Sequence, residues 1–320
     1  MKLGVLDQSP ISAGSSGAEA LRNSVDLARL AESLGYERYW VAEHHGTPAL
    51  ACASPEVLIS AIASATSSMR VGSGGVMLPH YSPVKVAETF SMLSGLYGDR
   101  IDLGIGRAAG TDPRTTFALQ RDRRQAAPDD FPQQLAELLA YIEDRMPEDH
   151  PFARLAALPG RPEKPEVWLL GSSPQSGLWA AEAGLPYAFA DFIAPHGEAI
   201  AARYRREAEN PRVIVAASAI CAETDEEAER IASSARMLIS LLVQGQLIAV
   251  PPVDVALRFV EENGLPPGRR AIVGSPARVR AELEEVAEAY GADEVMVVTI
   301  THEHAARRRS YELIAKAFGM

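Results

Sequence analysis

Residues 69–110 read MRVGSGGVMLPHYSPVKVAETFSMLSGLYGDRIDLGIGRAAG, and this stretch decides the fold class. It holds an apolar run that ends in a glycine cluster, a helical pattern opened by Ser82-Pro83, and a second apolar run that ends in GIGR. A strand, a helix and a strand in about forty residues predict a parallel βαβ unit, because parallel neighbours must be joined by a crossover. Both strands end in glycine-rich turns, where bare backbone lets a flat ligand or a phosphate come close.

The composition is that of an ordinary soluble globular protein. It disfavours a nucleic-acid-binding protein and a membrane protein. The 320 residues are 47% hydrophobic and 23% charged, with a formal net charge of -11. An acidic chain lacks the basic face that phosphate neutralisation needs, so no nucleic-acid partner is expected. No apolar run approaches the ~20 residues that span a bilayer, and the chain enters a strand-like LGVL without a signal-peptide pattern. These features predict a cytoplasmic protein with no membrane partner.

Cysteines and charge runs give further expectations. Cys52 and Cys221 are predicted to be buried thiols, because their separation matches neither a metal motif nor a redox motif. The dense basic runs at 121–124 and 307–309 are predicted to be solvated helix faces. The segment 302–304, His-Glu-His, is predicted to be the exposed start of a closing amphipathic helix rather than a ligand cluster.

Apolar runs typical of strands recur along the chain, and helical patterns separate them. Eight such runs lie at 3–6, 39–43, 69–76, 101–106, 167–171, 187–190, 213–220 and 294–299. Helical patterns lie at 18–34, 55–67, 83–94, 133–144, 174–183, 198–208, 225–243 and 276–290. Serines before Pro55, Pro83, Pro174 and Pro276 predict side-chain caps, and Thr224 with Glu227 predicts a capping box.

Eight strands that alternate with helices predict an α/β protein built as a (β/α)8 TIM barrel, since open sheets usually contain fewer strands. The strands read as nearly continuous apolar runs, as strands buried on both faces should. We expect one domain over residues 1–320, with insertions after strands 4 and 7 at about 111–165 and 235–270. Their proline-rich sequences are typical of surface excursions.

The carboxyl ends of barrel strands carry the functional residues of TIM-barrel enzymes, so these positions supply the candidate site residues. The candidates are Asp7, Gln8, Ser9, Glu43, His44, His45, Gly74, Gly75, His80, Gly104, Gly106, Arg107, Ser172, Ser173, Ser176 and Asp191. His44 and His45 are the most chemically versatile, because a neutral imidazole exchanges a proton near its ordinary pKa of ~6.5. Alternatively, the two histidines bind one metal ion together, or one of them caps a turn in a purely structural role. Adjacent strand residues point to opposite faces, which disfavours a shared metal.

Two glycine- and serine-rich turns suggest an anion site. The GIGRAAG segment matches the dinucleotide fingerprint only weakly, because a turn sequence follows where that fingerprint requires a helix. We interpret it as a bend that presents Arg107 to an anion. Ser172, Ser173 and Ser176 stand at the start of a predicted helix whose free N–H groups favour phosphate. Together these residues predict a monophosphate clamp, with an ordinary capped helix as the alternative.

Several longer motifs occur in a fixed order. They are YWVAEHH at 39–45, VGSGGVMLPHYSPVKVAE at 71–88, DRIDLGIGRAAGTD at 99–112, VWLLGSSPQSGLWAAEAGLPYAFA at 167–190, and IVGSPARVR at 272–280 followed by ADEVMV. In this order they resemble the bacterial luciferase-like flavin monooxygenase family, and are closest to its single-chain members. The resemblance runs from residue 3 to about residue 316.

The resemblance implies an FMN-dependent two-component monooxygenase, in which a separate NAD(P)H-flavin reductase supplies reduced FMN (FMNH2). With O2, it would oxygenate a small hydrophobic organic substrate through a flavin C4a-hydroperoxide, in a homodimer. By position, His44 with His45 resembles the family's active-site histidine. Arg107, Ser173 and Ser176 resemble its phosphate-binding residues. Gly74-Gly75 falls where family members carry a non-prolyl cis peptide under the flavin ring.

The resemblance does not identify the substrate, because residues 231–270 match no family motif. Nothing in the sequence predicts luminescence. Three alternatives stay open: a deazaflavin (F420)-dependent oxidoreductase that transfers hydride without oxygen, a metal-dependent barrel hydrolase, and a non-catalytic flavin-binding protein.

Overall fold

Strands and helices alternate along the chain in the computed structural model, which describes residues 1–107, 112–120, 122–125, 129–153, 155, 163–265 and 268–320. The strands are β1 (Lys2–Asp7), β2 (Arg38–Val41), β3 (Arg70–Met77), β4 (Ile101–Gly106), β5 (Glu166–Gly171), β6 (Tyr187–Ala190), β7 (Val213–Cys221), β8 (Ile272–Gly274) and β9 (Glu294–Val298). The helices are α1 (Gly17–Leu34), α2 (Pro55–Ala65), α3 (Pro83–Tyr97), α4 (Pro113–Leu119), α5 (Phe131–Ile142), α6 (Pro174–Glu182), α7 (Glu198–Glu207), α8 (Asp225–Val243), α9 (Val253–Asn263), α10 (Pro276–Tyr290) and α11 (His304–Ala317). Every predicted strand and helix forms.

Eight of these strands close into a parallel barrel. Strands β1 to β7 pair in chain order, and β9 pairs with both β7 and β1 to complete the ring. Closure leaves no open sheet edge in the barrel, and the helices cover its outer surface. The predicted α/β (β/α)8 TIM barrel is therefore confirmed.

The long intervals after β4 and β7 contain elements that the sequence patterns did not predict. Helix α4 lies in the first interval, and α9 and β8 lie in the second. Strand β8 has three residues and pairs only with 219–221, the end of β7 that extends beyond the barrel. A strand this short has no recognisable period, and α9 lies between two proline-rich turns that predict loop.

The helix starts agree with the Ser-Pro signals, but the capping contacts differ from those predicted. Of the four serines before Pro55, Pro83, Pro174 and Pro276, all of them described, only Ser173 caps its helix through the side chain. Thr224 accepts a hydrogen bond from the Glu227 backbone N–H, at 3.2 Å. The Glu227 carboxylate instead pairs with Arg230, at 2.7 Å, so the predicted capping box is only half formed.

A buried ionic network closes the amino end of the barrel. Arg38, the first residue of β2, donates to Glu294 of β9 and to Asp102 of β4, both at 2.8 Å. Arg70 of β3 lies 2.5 Å from the other Asp102 oxygen. Gly4 of β1 makes room for this network, because a Cβ there would lie 2.6 Å from Glu294 Oε1. Burial raises the pKa of Glu294 to about 7, although Arg38 opposes the shift.

One arginine of the basic run 307–309 contradicts the predicted solvated face. Arg307 is buried and lies 2.5 Å from the equally buried Asp7 carboxylate at the end of β1. Burial alone would raise the pKa of Asp7, but Arg307 and hydrogen bonds from Tyr39 and Ser9 lower it below its usual value. Helix α11 packs across the barrel wall, so one side chain of the run must point inward.

The other charged segments match the surface predictions only in part. Residues 122–125 form a turn and not the predicted helix face, and His302 and His304 are half-buried where an exposed helix start is predicted. Arg308 pairs with Asp26, which also lies 2.8 Å from His304, the first residue of α11. Arg123 and Arg124 are exposed, and residue 121 lies outside the described residues.

The two cysteines are free and buried, as predicted. Burial raises the pKa of both thiols to about 12, so they are unreactive as nucleophiles near neutral pH. Across the described ranges, no helix is both long enough and apolar enough to cross a bilayer.

Candidate active site

A cavity of about 550 Å³ opens at the carboxyl end of the barrel. Most of its wall is apolar, with Leu6, Trp40, Phe192, Ile214 and Met296 contributed by five different strands or strand ends. All six predicted cofactor-binding residues also line it, namely Gly74, Gly75, Arg107, Ser172, Ser173 and Ser176. Parallel barrel strands end on one face, which is why residues from β3, β4 and β5 meet there.

Two glycines of β3 form a bare stretch of the cavity wall. The Gly74-Gly75 peptide is cis, as the family resemblance implied. A Cβ on Gly74 would lie 2.5 Å from Leu6 Cδ1, and a Cβ on Gly75 would lie 2.7 Å from the Gly104 carbonyl oxygen. Neither position has space for a side chain, so backbone faces the cavity. Such a surface admits a flat ring at close range.

The start of α6 forms a polar corner of the cavity. Ser173 and Ser176 cap each other reciprocally, so the predicted helix cap is present. The Ser176 hydroxyl donates to the Ser173 carbonyl at 2.8 Å and lies 2.9 Å from the Tyr187 hydroxyl. The serines thereby fix the first turn of α6, whose remaining N–H groups and positive dipole end favour an anion.

Arg107 lies beside this corner, after the end of β4. Its guanidinium is 5.5 Å from the ring centroid of Trp179 on α6 and 2.7 Å from Asp129. The side chains of Arg107 and Asp129 are 48% and 72% exposed, so their attraction is screened and weak. A phosphate bound at the start of α6 would compete effectively for this guanidinium. The adjoining residues 108–110 of GIGRAAG lie outside the described residues.

His44 and His45 follow β2, but neither is among the residues that line the cavity. His45 instead packs edge-on against the His80 ring, with 5.9 Å between the ring centroids. The Nδ1 atom of His44 is buried, and no hydrogen-bond partner for it lies in the part of the chain that the structure describes. Burial lowers the pKa of His44 to about 4, and His45 acts in the same direction. His44 is therefore neutral near pH 7, with a ring nitrogen able to bind a proton.

Glu43 is the residue whose role the sequence did not reveal. Its fully buried carboxylate lies 2.7 Å from His45 Nε2 and accepts hydrogen bonds from the Tyr81 hydroxyl and the Met77 backbone N–H, both at 2.9 Å. Met77 lines the cavity, so Glu43 ties the histidine pair to the cavity wall. The only sequence signal for it is an acid at a buried strand end, directly before two histidines.

Two other strand-end candidates contact the surrounding helices instead of lining the cavity. Asp7 pairs with Arg307, and Asp191 is buried and accepts a hydrogen bond from Tyr290 of α10 at 2.8 Å. Within the described ranges, no group of three or more His, Cys, Asp or Glu side chains is placed to hold a metal ion.

Comparison with known proteins agrees with this geometry. The family model described as luciferase-like monooxygenase matches residues 1–294. The chain is 40% identical to a luciferase-like monooxygenase of Escherichia coli strain K12, over 97% of this chain and 94% of the relative. It is 35% identical to the N-acetyl-S-alkylcysteine monooxygenase of Bacillus subtilis strain 168, over 99% and 98% of the two chains.

A solved structure is similar as well. The crystal structure of apo-MsnO8 has a TM-score of 0.91 to this chain at 42% identity, covering 99% of this chain and 98% of the other. The chain belongs to the luciferase-like monooxygenase family and is a flavin-dependent monooxygenase.

Proposed function

We propose that this monooxygenase takes FMNH2 from a separate NAD(P)H-flavin reductase and uses O2 to oxygenate a small hydrophobic organic substrate. The observation that carries the proposal is one cavity in which a bare glycine wall, a polar corner and an apolar surface meet. FMN ends in a single monophosphate, which suits one arginine beside one helix N-terminus. The relative named for N-acetyl-S-alkylcysteines supports a small organic substrate.

The residues at the polar corner and the glycine wall divide the binding of FMN between them. Arg107 and the start of α6, with Ser172, Ser173 and Ser176, would hold the phosphate. Gly74 and Gly75 would face the ring system. Reduced flavin supplies activated oxygen from O2 when bound, and the apolar wall excludes water from that reaction.

The two histidines after β2 would handle protons. Burial lowers the pKa of His44 to about 4, so the ring is neutral and a weak base near pH 7, and it would pass a proton on rather than retain it. Glu43 holds the His45 ring at 2.7 Å and keeps the pair in one arrangement beside the glycine wall.

Anaerobic titration with FMNH2, followed by rapid mixing with O2, tests the proposal. We expect saturable binding and an oxygen-dependent change in flavin absorbance that decays more slowly than that of free FMNH2. Binding of reduced F420 without binding of FMNH2 would establish the deazaflavin alternative. Tight FMNH2 binding with oxidation at the rate of free flavin would establish a non-catalytic flavoprotein.

We also propose that the enzyme is a homodimer, as the family resemblance implies, and that it is cytoplasmic, as its composition predicts. Neighbouring helices α2 and α3 expose Val57, Met92 and Leu96, which are 69%, 64% and 68% accessible. A second copy of the chain would remove this apolar surface from water. Sedimentation should give twice the monomer mass for the natural chain and the monomer mass for Leu96→Glu. A monomeric natural chain would refute the dimer.

A further inference from the structure

Arg269 carries a positive charge on the connection from α9 to β8 and contacts the backbone of a residue that lines the cavity. Its guanidinium Nη1 donates to the Phe192 carbonyl oxygen at 3.3 Å, and the side chain is half-buried. Phe192 follows β6 and lines the cavity. The insertion after β7 therefore brings a cation next to the backbone of a cavity-lining residue.

Arg269 differs from the fully buried arginines because, among the described residues, no carboxylate pairs with it. It differs from the half-buried Arg100, which donates to three backbone carbonyls and to the Thr66 hydroxyl, because it makes a single hydrogen bond. Arg38 and Arg307 both pair with buried acids, and the neighbouring Arg270 lies 3.8 Å from Asp191 and from Glu198. No acidic side chain in the described ranges pairs with Arg269, and the residues outside those ranges include no aspartate or glutamate.

A half-buried guanidinium with a single long hydrogen bond leaves most of its five N–H donors available. Burial lowers the pKa of Arg269 from its ordinary value, and no acid counteracts the shift. Guanidinium groups bind carboxylates through paired, charge-assisted hydrogen bonds, so an anionic ligand would satisfy these donors.

The position of Arg269 separates it from the proposed phosphate corner. Arg107 and the serines belong to the ends of β4 and β5 and to α6, whereas Phe192, Ile193 and Ile214 form an apolar wall at β6 and β7. With FMN held at the first corner, the second part of the cavity is left for the organic substrate.

We infer that Arg269 binds a carboxylate of the organic substrate, whose apolar remainder lies against the β6–β7 wall. The substrate is thus an amphiphilic carboxylic acid, and Arg269 is a specificity-determining residue for it. This inference rests on the proposed function, because it takes FMN to occupy the polar corner.

Paired ligands that differ only in charge test the inference. The probes are octanoate and 4-phenylbutyrate, each compared with its methyl ester by anaerobic calorimetry on the full chain saturated with FMNH2. In the natural chain each acid should bind at least about tenfold more tightly than its ester, as expected for charge-assisted hydrogen bonds. Arg269→Gln should abolish this preference without changing ester affinity, and Arg269→Lys should restore part of it.

Arg270→Gln is the matched control, since it removes an adjacent charge that already has acidic partners, and it should keep the full preference for acids. Equal affinity for acid and ester in the natural chain, no binding of either, or a preference that survives Arg269→Gln would overturn the inference. FMNH2 binding is measured first in each protein. Its absence from the natural chain would refute the proposed function, whereas normal FMNH2 binding without acid preference would refute only the role of Arg269.

Discussion

The amino end of the barrel and the candidate phosphate corner at its carboxyl end use charge in different ways, although the carboxyl end also contains the buried Asp7–Arg307 pair. At the amino end, Arg38, Asp102 and Glu294 are buried and satisfy one another within 2.8 Å. At the carboxyl end, among the described residues, the acid paired with Arg107 is the exposed Asp129, and His44 Nδ1 has no hydrogen-bond partner. Buried charges that are fully paired hold strands together, whereas polar groups with free capacity are available to a ligand. We therefore expect substitutions at the amino end to lower stability and substitutions at the carboxyl end to affect cofactor binding or turnover.

The largest expected effect is a loss of folding stability when the ionic network at the amino end is disrupted. Asp102→Ala leaves Arg38 and Arg70 without their shared carboxylate in a buried site, so the free energy of unfolding should fall by about 3–5 kcal/mol. Urea titration measures this change in the free energy of unfolding. Asp122→Ala, which removes an exposed partner of Arg124, is the control and should leave the midpoint unchanged. FMNH2 affinity of the folded Asp102→Ala protein should equal that of the natural chain; a weaker affinity would break the division between the ends.

The next effect concerns turnover at the carboxyl end. His44→Ala should leave FMNH2 affinity unchanged and lower kcat by about 100-fold or more, the usual contribution of a positioned acid or base. Single-turnover kinetics with O2 separates the two quantities. Turnover equal to that of the natural chain would show that His44 has no catalytic role.

Arg107→Ala should act on binding rather than on turnover. Loss of a charge-assisted pair with phosphate should weaken FMNH2 binding by about 10–100-fold, while the unfolding midpoint stays the same because the side chain is half exposed. Asp129→Ala is the matched control: it removes the competing acid, so FMNH2 should bind as well as before or more tightly. Equal weakening by both substitutions would place the phosphate elsewhere.

The smallest effect is a dependence of stability on pH that originates at His44. Its pKa is about 4 in the folded chain, against ~6.5 when exposed, so the unfolded state binds more protons between these values. The His44 contribution to stability is therefore complete above pH 6.5 and is lost as pH falls, by about 2 kcal/mol between pH 7 and pH 5. Urea unfolding of the natural chain and of His44→Ala at both pH values should show that the variant lacks this component. An identical pH dependence in the two proteins would contradict it.

The stretch 69–110 predicted its own structure because its signals are local. The β-branched run of β3, the Ser-Pro start of α3 and the glycine turn after β4 each depend on a few adjacent residues. The rule that barrel strands end on one face then predicts that Gly74, Arg107 and Ser173 meet at one site. Strand β8 was missed because its pairing partner is the end of β7, about fifty residues away in sequence.

By itself the sequence determined the barrel, the strand ends and the residue types at the cavity, since these follow from periodicity and from turn chemistry. Only the tertiary structure decided which side chains face which neighbours. It turned Arg307 inward to Asp7, left Arg269 beside Phe192 with no acid paired to it among the described residues, and joined His45 to Glu43. The physical reason is that these pairings depend on how helices and insertions pack against the sheet, through contacts between residues far apart in the chain.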